Sequence, residues 1–151
     1  YYNTSIGWNF KMPDINAALG ISQLKRIESI IERKNSCAKF YDELFSAIPE
    51  ITAPIVKEYN RITYMLYSIL VKDNKLREKI RIGLESQGIE TRINFPPMHL
   101  QPAYIDRFGD TRGSLPISED ISERILGLPI FINMTQTDQE LIVNTIKQSM
   151  N

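Results

Sequence analysis

The sequence is poor in the residues that build covalent cross-links and metal centres. Its 151 residues include one cysteine, Cys37, and one histidine, His99. A single cysteine cannot form an internal disulfide, and one cysteine with one histidine cannot complete a structural zinc site. The composition therefore excludes a disulfide-bonded scaffold, and we predict no metal site.

The sequence also lacks a surplus of charge and a long apolar run. Its 18 basic residues are matched by 18 acidic ones. Without a net positive field, neither nucleic acid nor an anionic membrane surface is strongly attracted. Apolar runs such as residues 128–132 are too short to span a bilayer, and no basic-then-apolar leader is present. We expect a cytoplasmic protein with no nucleic-acid or membrane partner.

The beginning of the sequence is unusual, because it opens on polar and aromatic residues without an initiator methionine. A length near 150 residues suits one domain or a large part of one. We interpret the chain as a fragment whose natural N-terminal part is absent.

A long amphipathic helix is predicted over residues 14–47. Apolar residues recur there at steps of three and four, and charged residues occupy the opposite face. Pro13 and Asp14 favour its start and Pro49 its end. The helix would be about 50 Å long at 1.5 Å per residue, so we expect a bend or break within it.

The rest of the sequence alternates short β-favouring runs with helical patterns. We predict strands over 63–71, 89–94 and 128–132, and helices over 73–87, 117–126 and 135–150. Asp73 suits the start of the helix over 73–87, and Gly88 suits its end. Thr135 and Asp138 resemble a capping box at the start of the helix over 135–150. These elements predict an α/β fold with a small sheet covered by helices. Residues 1–48 would form an N-terminal segment and linking helix, and residues 49–151 a small C-terminal α/β domain.

Polar groups suited to ligand binding are concentrated in residues 88–104, which read GIETRINFPPMHLQPAY. A strand would place Arg92 and Asn94 on one face, because strand side chains alternate. Three prolines would stiffen the following loop, which carries the remaining candidates: His99, Gln101 and Tyr104. A guanidinium suits a carboxylate or phosphate. A structural hydrogen bond for His99 and a surface ion pair for Arg92 are equally good interpretations.

Three ordered blocks of the sequence resemble the DegT/DnrJ/StrS family of sugar-nucleotide aminotransferases. Residues 7–20, GWNFKMPDINAALG, resemble the family block G-x-N-[YF]-[RK]-M-x-[DE]-I-x-A-A-[IL]-G. Residues 88–104 resemble G-I-x-T-R-x-x-[YF]-P-P-x-H-x-Q-P-A-Y. The G-x-L-P at 113–116 and L-P-[IL]-F at 128–131, followed by Met-Thr at 134–135, resemble the family's closing segment.

The resemblance implies a pyridoxal-phosphate enzyme of fold type I, of which this chain is the small C-terminal domain. That domain would have a long N-terminal helix followed by a small, mainly antiparallel sheet covered by helices. Family members transfer an amino group, usually from glutamate, to a nucleotide-linked keto sugar in amino sugar biosynthesis, including that of cell-surface polysaccharides. The parent protein is expected to be a homodimer with active sites at the subunit boundary. The Schiff-base lysine lies upstream of the block at residues 7–20, so the isolated chain would hold no catalytic residue and be inactive.

The resemblance also implies roles for individual residues near the cofactor. Asn9 matches a family asparagine that reaches the cofactor phosphate of the other subunit, and its amide NH₂ is a plausible donor. Lys11 stands where arginine is commoner, so it keeps the charge and loses the bidentate fork.

The substrate-side roles are implied in the same way. His99, with Gln101 and Tyr104, matches the loop that lines the sugar-nucleotide pocket, and Arg92 matches an arginine near that pocket. Asn94 stands where many members carry histidine, which casts doubt on a proton-transfer role there.

Two other functions fit the same residues. In pyridoxal-phosphate sugar dehydratases of the superfamily, histidine replaces the upstream lysine. A non-catalytic homologue would keep the fold for regulation or assembly.

Overall fold

The computed structural model describes residue 2 and residues 4–150. The predicted outer limits of the two domains, residues 1 and 151, lie outside this range. The described helices, strands and single 3₁₀ turn follow in this order: α1 (Asp14–Leu24), α2 (Ile27–Phe45), β1 (Ile51–Thr52), β2 (Tyr67–Val71), α3 (Asn74–Ser86), the 3₁₀ turn (Met98–Leu100), α4 (Pro102–Phe108), α5 (Pro116–Arg124), β3 (Ile125–Leu128) and α6 (Gln136–Met150).

The three strands form one antiparallel sheet in the order β1-β2-β3. In the central strand, Ile69 lies opposite Leu126. Alternate residues of β2, beginning with Tyr67, are buried, because successive side chains of a strand point to opposite faces. This alternation gives the sheet an apolar face for the helices to cover.

Helices α2, α3 and α6 supply the rest of the core. Their fully buried side chains include Tyr41 from α2, Ile80 and Leu84 from α3, and Val143 and Ile146 from α6. Burying each of the aliphatic ones stabilises the fold by about 1.5–3 kcal/mol. The predicted α/β fold, with helix first and a small antiparallel sheet covered by helices, is confirmed.

A tyrosine pair joins α2 to the sheet. The rings of Tyr41 and Tyr67 lie 4.8 Å apart between centroids. The Tyr41 hydroxyl donates to the Pro129 carbonyl at 3.1 Å, and the Tyr67 hydroxyl donates to the Asp42 carboxylate. Burial and the bond to Asp42 raise the pKa of Tyr67. These contacts fix the second half of the linking helix on the domain.

The predicted long helix is broken, as its length led us to expect. Helix α1 ends at Leu24 and α2 begins at Ile27. At the break, the Arg26 N–H donates to the Gln23 carbonyl at 3.0 Å, an i to i−3 bond. Helix α1 buries none of its residues, whereas α2 buries a stripe that includes Tyr41 and Phe45.

Large apolar side chains are exposed throughout residues 2–24. They are Tyr2, Ile6, Trp8, Phe10, Met12, Ile15, Leu19, Ile21 and Leu24. An exposed apolar surface of this extent marks an interaction site in folded proteins. We call this surface the N-terminal apolar face.

The predicted strand over 89–94 is wrong. Only Arg92 pairs there, in an isolated antiparallel bridge with Gly127. The prolines at 96 and 97 remove two backbone donors, so regular pairing cannot continue.

The strands predicted over 63–71 and 128–132 have shifted limits. The first is shortened to β2, and the second lies at β3, Ile125–Leu128. Pro129 follows β3 and has no N–H, so the ladder ends at the pair between Tyr67 and Leu128. The helix predicted over 117–126 ends earlier, at Arg124, because the next residues belong to β3.

Three short elements were not predicted. Strand β1 lies between the predicted long helix and the predicted strand over 63–71, and the 3₁₀ turn and α4 lie in the predicted proline-stiffened loop. Tyr104 is therefore on a helix rather than a loop. Pro102 occupies the first turn of α4, where proline is tolerated because its missing N–H would have no partner there.

The predicted helix caps are confirmed. Asp73 accepts from the Leu76 N–H at 2.8 Å at the start of α3. At the start of α6, Thr135 Oγ1 accepts from the Asp138 N–H at 3.2 Å, and Asp138 accepts from the Thr135 N–H at 2.9 Å. Gly88 follows α3 with a φ of +71°, which glycine adopts without strain.

Gly127→Ala should lower the free energy of unfolding by about 1–3 kcal/mol, the usual cost of overpacking. A Cβ at Gly127 would lie 2.8 Å from Asn94 Nδ2 and 3.1 Å from the Arg92 carbonyl oxygen. Urea denaturation of the purified protein measures the change. Asn94→Ala in the same chain should restore part of the loss, because it removes the nearer atom. An unchanged unfolding midpoint in Gly127→Ala would contradict the close approach.

Candidate functional site

A cavity suited to a small molecule lies between residues 94–95 and the start of α5. Its volume is about 620 Å³, which lies within the range of small-molecule sites. Its walls combine apolar and polar side chains. The lining residues are Asn94, Phe95, Ser114, Leu115, Pro116, Ile117, Ser118, Ile121 and Ser122. We call it the α5 cavity.

Asn94 lies in the α5 cavity wall because the chain approaches β3 closely. The Asn94 amide packs on Gly127, where a side chain would clash with Nδ2. Asn94 Nδ2 is buried and has no hydrogen-bond partner among the residues that the structure describes. A buried amide donor without a partner is costly.

Arg92 does not share the α5 cavity with Asn94. Its guanidinium makes an ion pair with Glu90 at 3.2 Å, and 65% of its side chain is exposed. It lines a second cavity of about 350 Å³, together with Leu128 and Phe131. The expected placement of Arg92 and Asn94 on one strand face is therefore wrong, because no regular strand forms there.

His99 is held by a carboxylate on α5. Its Nε2 lies 2.9 Å from Glu119 Oε1, and only 16% and 20% of the two side chains are exposed. Glu119 also accepts from the Gly113 N–H at 2.9 and 3.0 Å and from the Leu115 N–H at 3.4 Å. The hydrogen bond from His99, helped by these backbone N–H groups, lowers the pKa of Glu119.

Glu119 was missed by the sequence predictions. The signal was present, since Pro116 begins a helix and Glu119 is an acidic residue in its first turn. A carboxylate at that place commonly accepts backbone N–H groups that precede the helix. The pattern predicts the bonds to Gly113 and Leu115, but not the contact with His99.

Gln101 and Tyr104 act locally in this structure. The Gln101 carbonyl accepts from the Tyr104 N–H at 2.9 Å and thereby begins α4. The Tyr104 ring packs on Phe108, with centroids 6.1 Å apart. Tyr104 remains 43% exposed.

Asn9 and Lys11 form a local turn in the exposed N-terminal segment. Asn9 Oδ1 accepts from the Lys11 N–H at 3.1 Å. This bond uses the oxygen of the amide and leaves its NH₂ as a donor, and the Lys11 side chain is exposed. Each of the two side chains can donate hydrogen bonds to an anion.

The described part of the chain has neither a metal-binding cluster nor a membrane-spanning helix. Within residues 2 and 4–150, no three His, Cys, Asp or Glu side chains are grouped closely enough to hold a metal ion. None of the described helices is both long and apolar enough to cross a membrane.

The sequence is similar to curated proteins over nearly all of its length. It is 35% identical over 145 residues to the uncharacterized protein MJ1066 of Methanocaldococcus jannaschii, covering 94% of this chain and 38% of the relative. It is 30% identical over 148 residues to the GDP-perosamine synthase of Escherichia coli O157:H7, covering 98% and 39%. The chain thus spans under two fifths of the length of these relatives.

The fold also matches part of a solved structure. The putative sugar aminotransferase Spr1654 from Streptococcus pneumoniae, in its PLP form, superimposes with a TM-score of 0.84 at 25% identity. The match covers 93% of this chain and 36% of that one. The sequence pattern of the DegT/DnrJ/EryC1/StrS aminotransferase family matches residues 1–147. This match confirms the resemblance carried by the three sequence blocks: the chain belongs to the DegT/DnrJ/EryC1/StrS aminotransferase family.

Proposed function

We propose that this chain is the C-terminal part of a pyridoxal-phosphate enzyme that transfers an amino group from glutamate to a nucleotide-linked keto sugar. We further propose that the full-length protein works in the cytoplasm as a homodimer. The observation that carries the proposal is the family match over residues 1–147. It is supported by relatives whose names are those of a GDP-perosamine synthase and a sugar aminotransferase in a PLP form.

The N-terminal segment would contribute to holding the cofactor phosphate. Pyridoxal phosphate supplies the electron sink for amino transfer when it is bound. Asn9 Nδ2 would donate to a phosphate oxygen, because Oδ1 of the same amide is engaged by the Lys11 N–H. The Lys11 ammonium would add a charge-assisted hydrogen bond, although without the bidentate geometry of arginine.

The α5 cavity and the His99 loop would form the substrate side of the site. A volume of about 620 Å³ accommodates a sugar ring with part of its nucleotide. Asn94 and His99 supply polar groups for sugar hydroxyls, and Gln101 and Tyr104 would extend the same wall. The apolar residues at the start of α5 would exclude water from the sugar.

Arg92 would bind an anionic part of a substrate, either the diphosphate or the glutamate carboxylate. Its present partner is Glu90, in an ion pair whose side chains are 65% and 77% exposed. Such exposed pairs contribute little to stability. If a phosphate or carboxylate of a ligand replaced Glu90 as the partner of Arg92, the protein would therefore lose little stability.

The N-terminal apolar face supports a larger assembly. Helix α1 buries none of its residues within this chain. In a longer protein that dimerises, upstream sequence and a second subunit would cover this surface. No lysine of this chain matches the Schiff-base position, so we propose that the isolated chain lacks transaminase activity.

The function is tested with the full-length protein, pyridoxal phosphate, glutamate and nucleoside-diphosphate keto sugars. We expect an absorbance band from bound cofactor, then formation of an amino sugar together with 2-oxoglutarate. Loss of water from the sugar without amino transfer would instead identify a dehydratase. Absence of cofactor absorbance would identify a non-catalytic homologue.

Asn9→Ala in the full-length protein should weaken pyridoxal-phosphate binding about tenfold, because one hydrogen bond to a charged phosphate is lost. Equilibrium dialysis measures the affinity, and circular dichroism shows that the fold is kept. Asn9→Asp is the matched control, and its negative charge should weaken binding further. Unchanged affinity in both variants would refute the phosphate role.

His99→Ala in the full-length protein should raise the apparent KM for the nucleotide sugar about tenfold, and the KM for glutamate much less. The reason is that His99 is assigned to the sugar-nucleotide wall, where one lost hydrogen bond costs about 1–1.5 kcal/mol. Steady-state kinetics with each substrate varied in turn measure both constants. Equal effects on the two substrates would contradict the assignment.

A further inference from the structure

The Glu119 carboxylate joins three separate pieces of the chain. It contacts His99 Nε2 on the 3₁₀ turn at 2.9 Å and the Gly113 N–H at 2.9 and 3.0 Å. Glu119 itself lies in the first turn of α5. Because both side chains of the His99–Glu119 pair are at least four-fifths buried, their geometry is well restrained.

This contact settles where the proton of the imidazole lies. An ionised carboxylate only accepts hydrogen bonds, so a nitrogen 2.9 Å from it carries the proton. Three further contacts from backbone N–H groups favour the ionised state of Glu119. Neutral His99 is therefore protonated on Nε2, and its Nδ1 is left as an acceptor. Nδ1 makes no hydrogen bond to any residue of the described chain.

We propose that Glu119 is a positioning residue of the substrate site, which holds His99 in the Nε2–H form so that Nδ1 accepts a hydrogen bond from a substrate hydroxyl or N–H group. This proposal rests on the proposed function, in which His99 contacts the nucleotide sugar. It specifies the chemistry of the contact. A sugar hydroxyl or a base N–H can donate to Nδ1, whereas an ionised phosphate oxygen cannot.

The same carboxylate also fixes the wall of the α5 cavity. Ser114, Leu115 and Pro116 line that cavity, and Glu119 accepts from the backbone N–H groups of Gly113 and Leu115. The position of His99 and the position of this wall are therefore coupled through one side chain. Loss of the carboxylate should affect binding of the sugar more than the chemical step.

Variants of the full-length holoenzyme separate these roles. Glu119→Gln keeps the shape and one carbonyl acceptor, but its NH₂ group can donate to the imidazole, so the proton position is no longer imposed. His99→Gln keeps an N–H for Glu119 and loses the Nδ1 acceptor. Asp120→Asn is the matched control, since Asp120 lies next on α5 and bonds only Arg124 among the described residues.

We expect Glu119→Gln and His99→Gln each to raise the KM for the nucleotide sugar about five- to tenfold, with a smaller change in kcat. The double variant should be no worse than the more affected single variant, because both changes remove the same contact. Asp120→Asn should leave both constants unchanged. A wild-type KM in either single variant, or fully additive effects, would overturn the proposal.

Nitrogen-15 NMR of the histidine side chains tests the proton position without substrate. The His99 signals are those missing from the spectrum of His99→Gln. With the imidazole in its neutral form, we expect the wild type to show only the Nε2–H tautomer, and Glu119→Gln to show a mixture. A protonated Nδ1 in the wild type would overturn the proposal even if Glu119→Gln failed to fold. Failure of the full-length protein to use nucleotide sugars would contradict the proposed function instead, and leave the NMR result intact.

Discussion

Two hydrogen bonds between Arg92 and Gly127 attach the segment that carries Asn94 and His99 to the sheet. The Arg92 N–H donates to Gly127 at 3.0 Å, and the Gly127 N–H donates back at 2.7 Å. This is the sole isolated bridge in the described structure. Everything from Asn94 to His99 follows it along the chain, with prolines restricting the backbone between them. The location of the α5 cavity wall at Asn94 therefore depends on one residue pair, and on the absence of a side chain at Gly127.

The parts of the fold set by neighbouring residues could be predicted from the sequence. The starts of α3 and α6 depend on Asp73 and Thr135, whose partners lie three residues away. The limits of the strands could not be predicted, because they depend on distant partners. Pro129 ends the pairing of β2 although it lies more than 60 residues after Tyr67. The β-favouring residues 89–94 likewise fail to form a strand, since the prolines that follow and the single partner Gly127 limit them to one pair.

The candidate site shows the same division between local and distant signals. The concentration of polar residues over 88–104 predicted Asn94 and His99 as site residues. The structure places Asn94 in the wall of the α5 cavity and places His99 in contact with the Glu119 carboxylate. Glu119 could not be linked to His99 by spacing, because 20 residues and a turn separate them. The assumption of a regular strand misplaced Arg92 relative to Asn94. Their roles toward substrate remain predictions from the family.

The two halves of the proposed site differ in what holds them in place. His99 and Asn94 are positioned by this chain alone, through Glu119 and through the backbone at Gly127. Asn9 and Lys11 lie in an exposed segment that precedes a helix with no buried residue. Among the described residues, their one side-chain hydrogen bond is that of the short turn between them, which sets the direction of the amide but not its place in a larger site. If these residues act as proposed, the substrate wall is held by this domain itself, whereas the phosphate contact would need other protein surface to cover the N-terminal apolar face. Cofactor binding and assembly of the complete protein would then be coupled, because the same segment serves both.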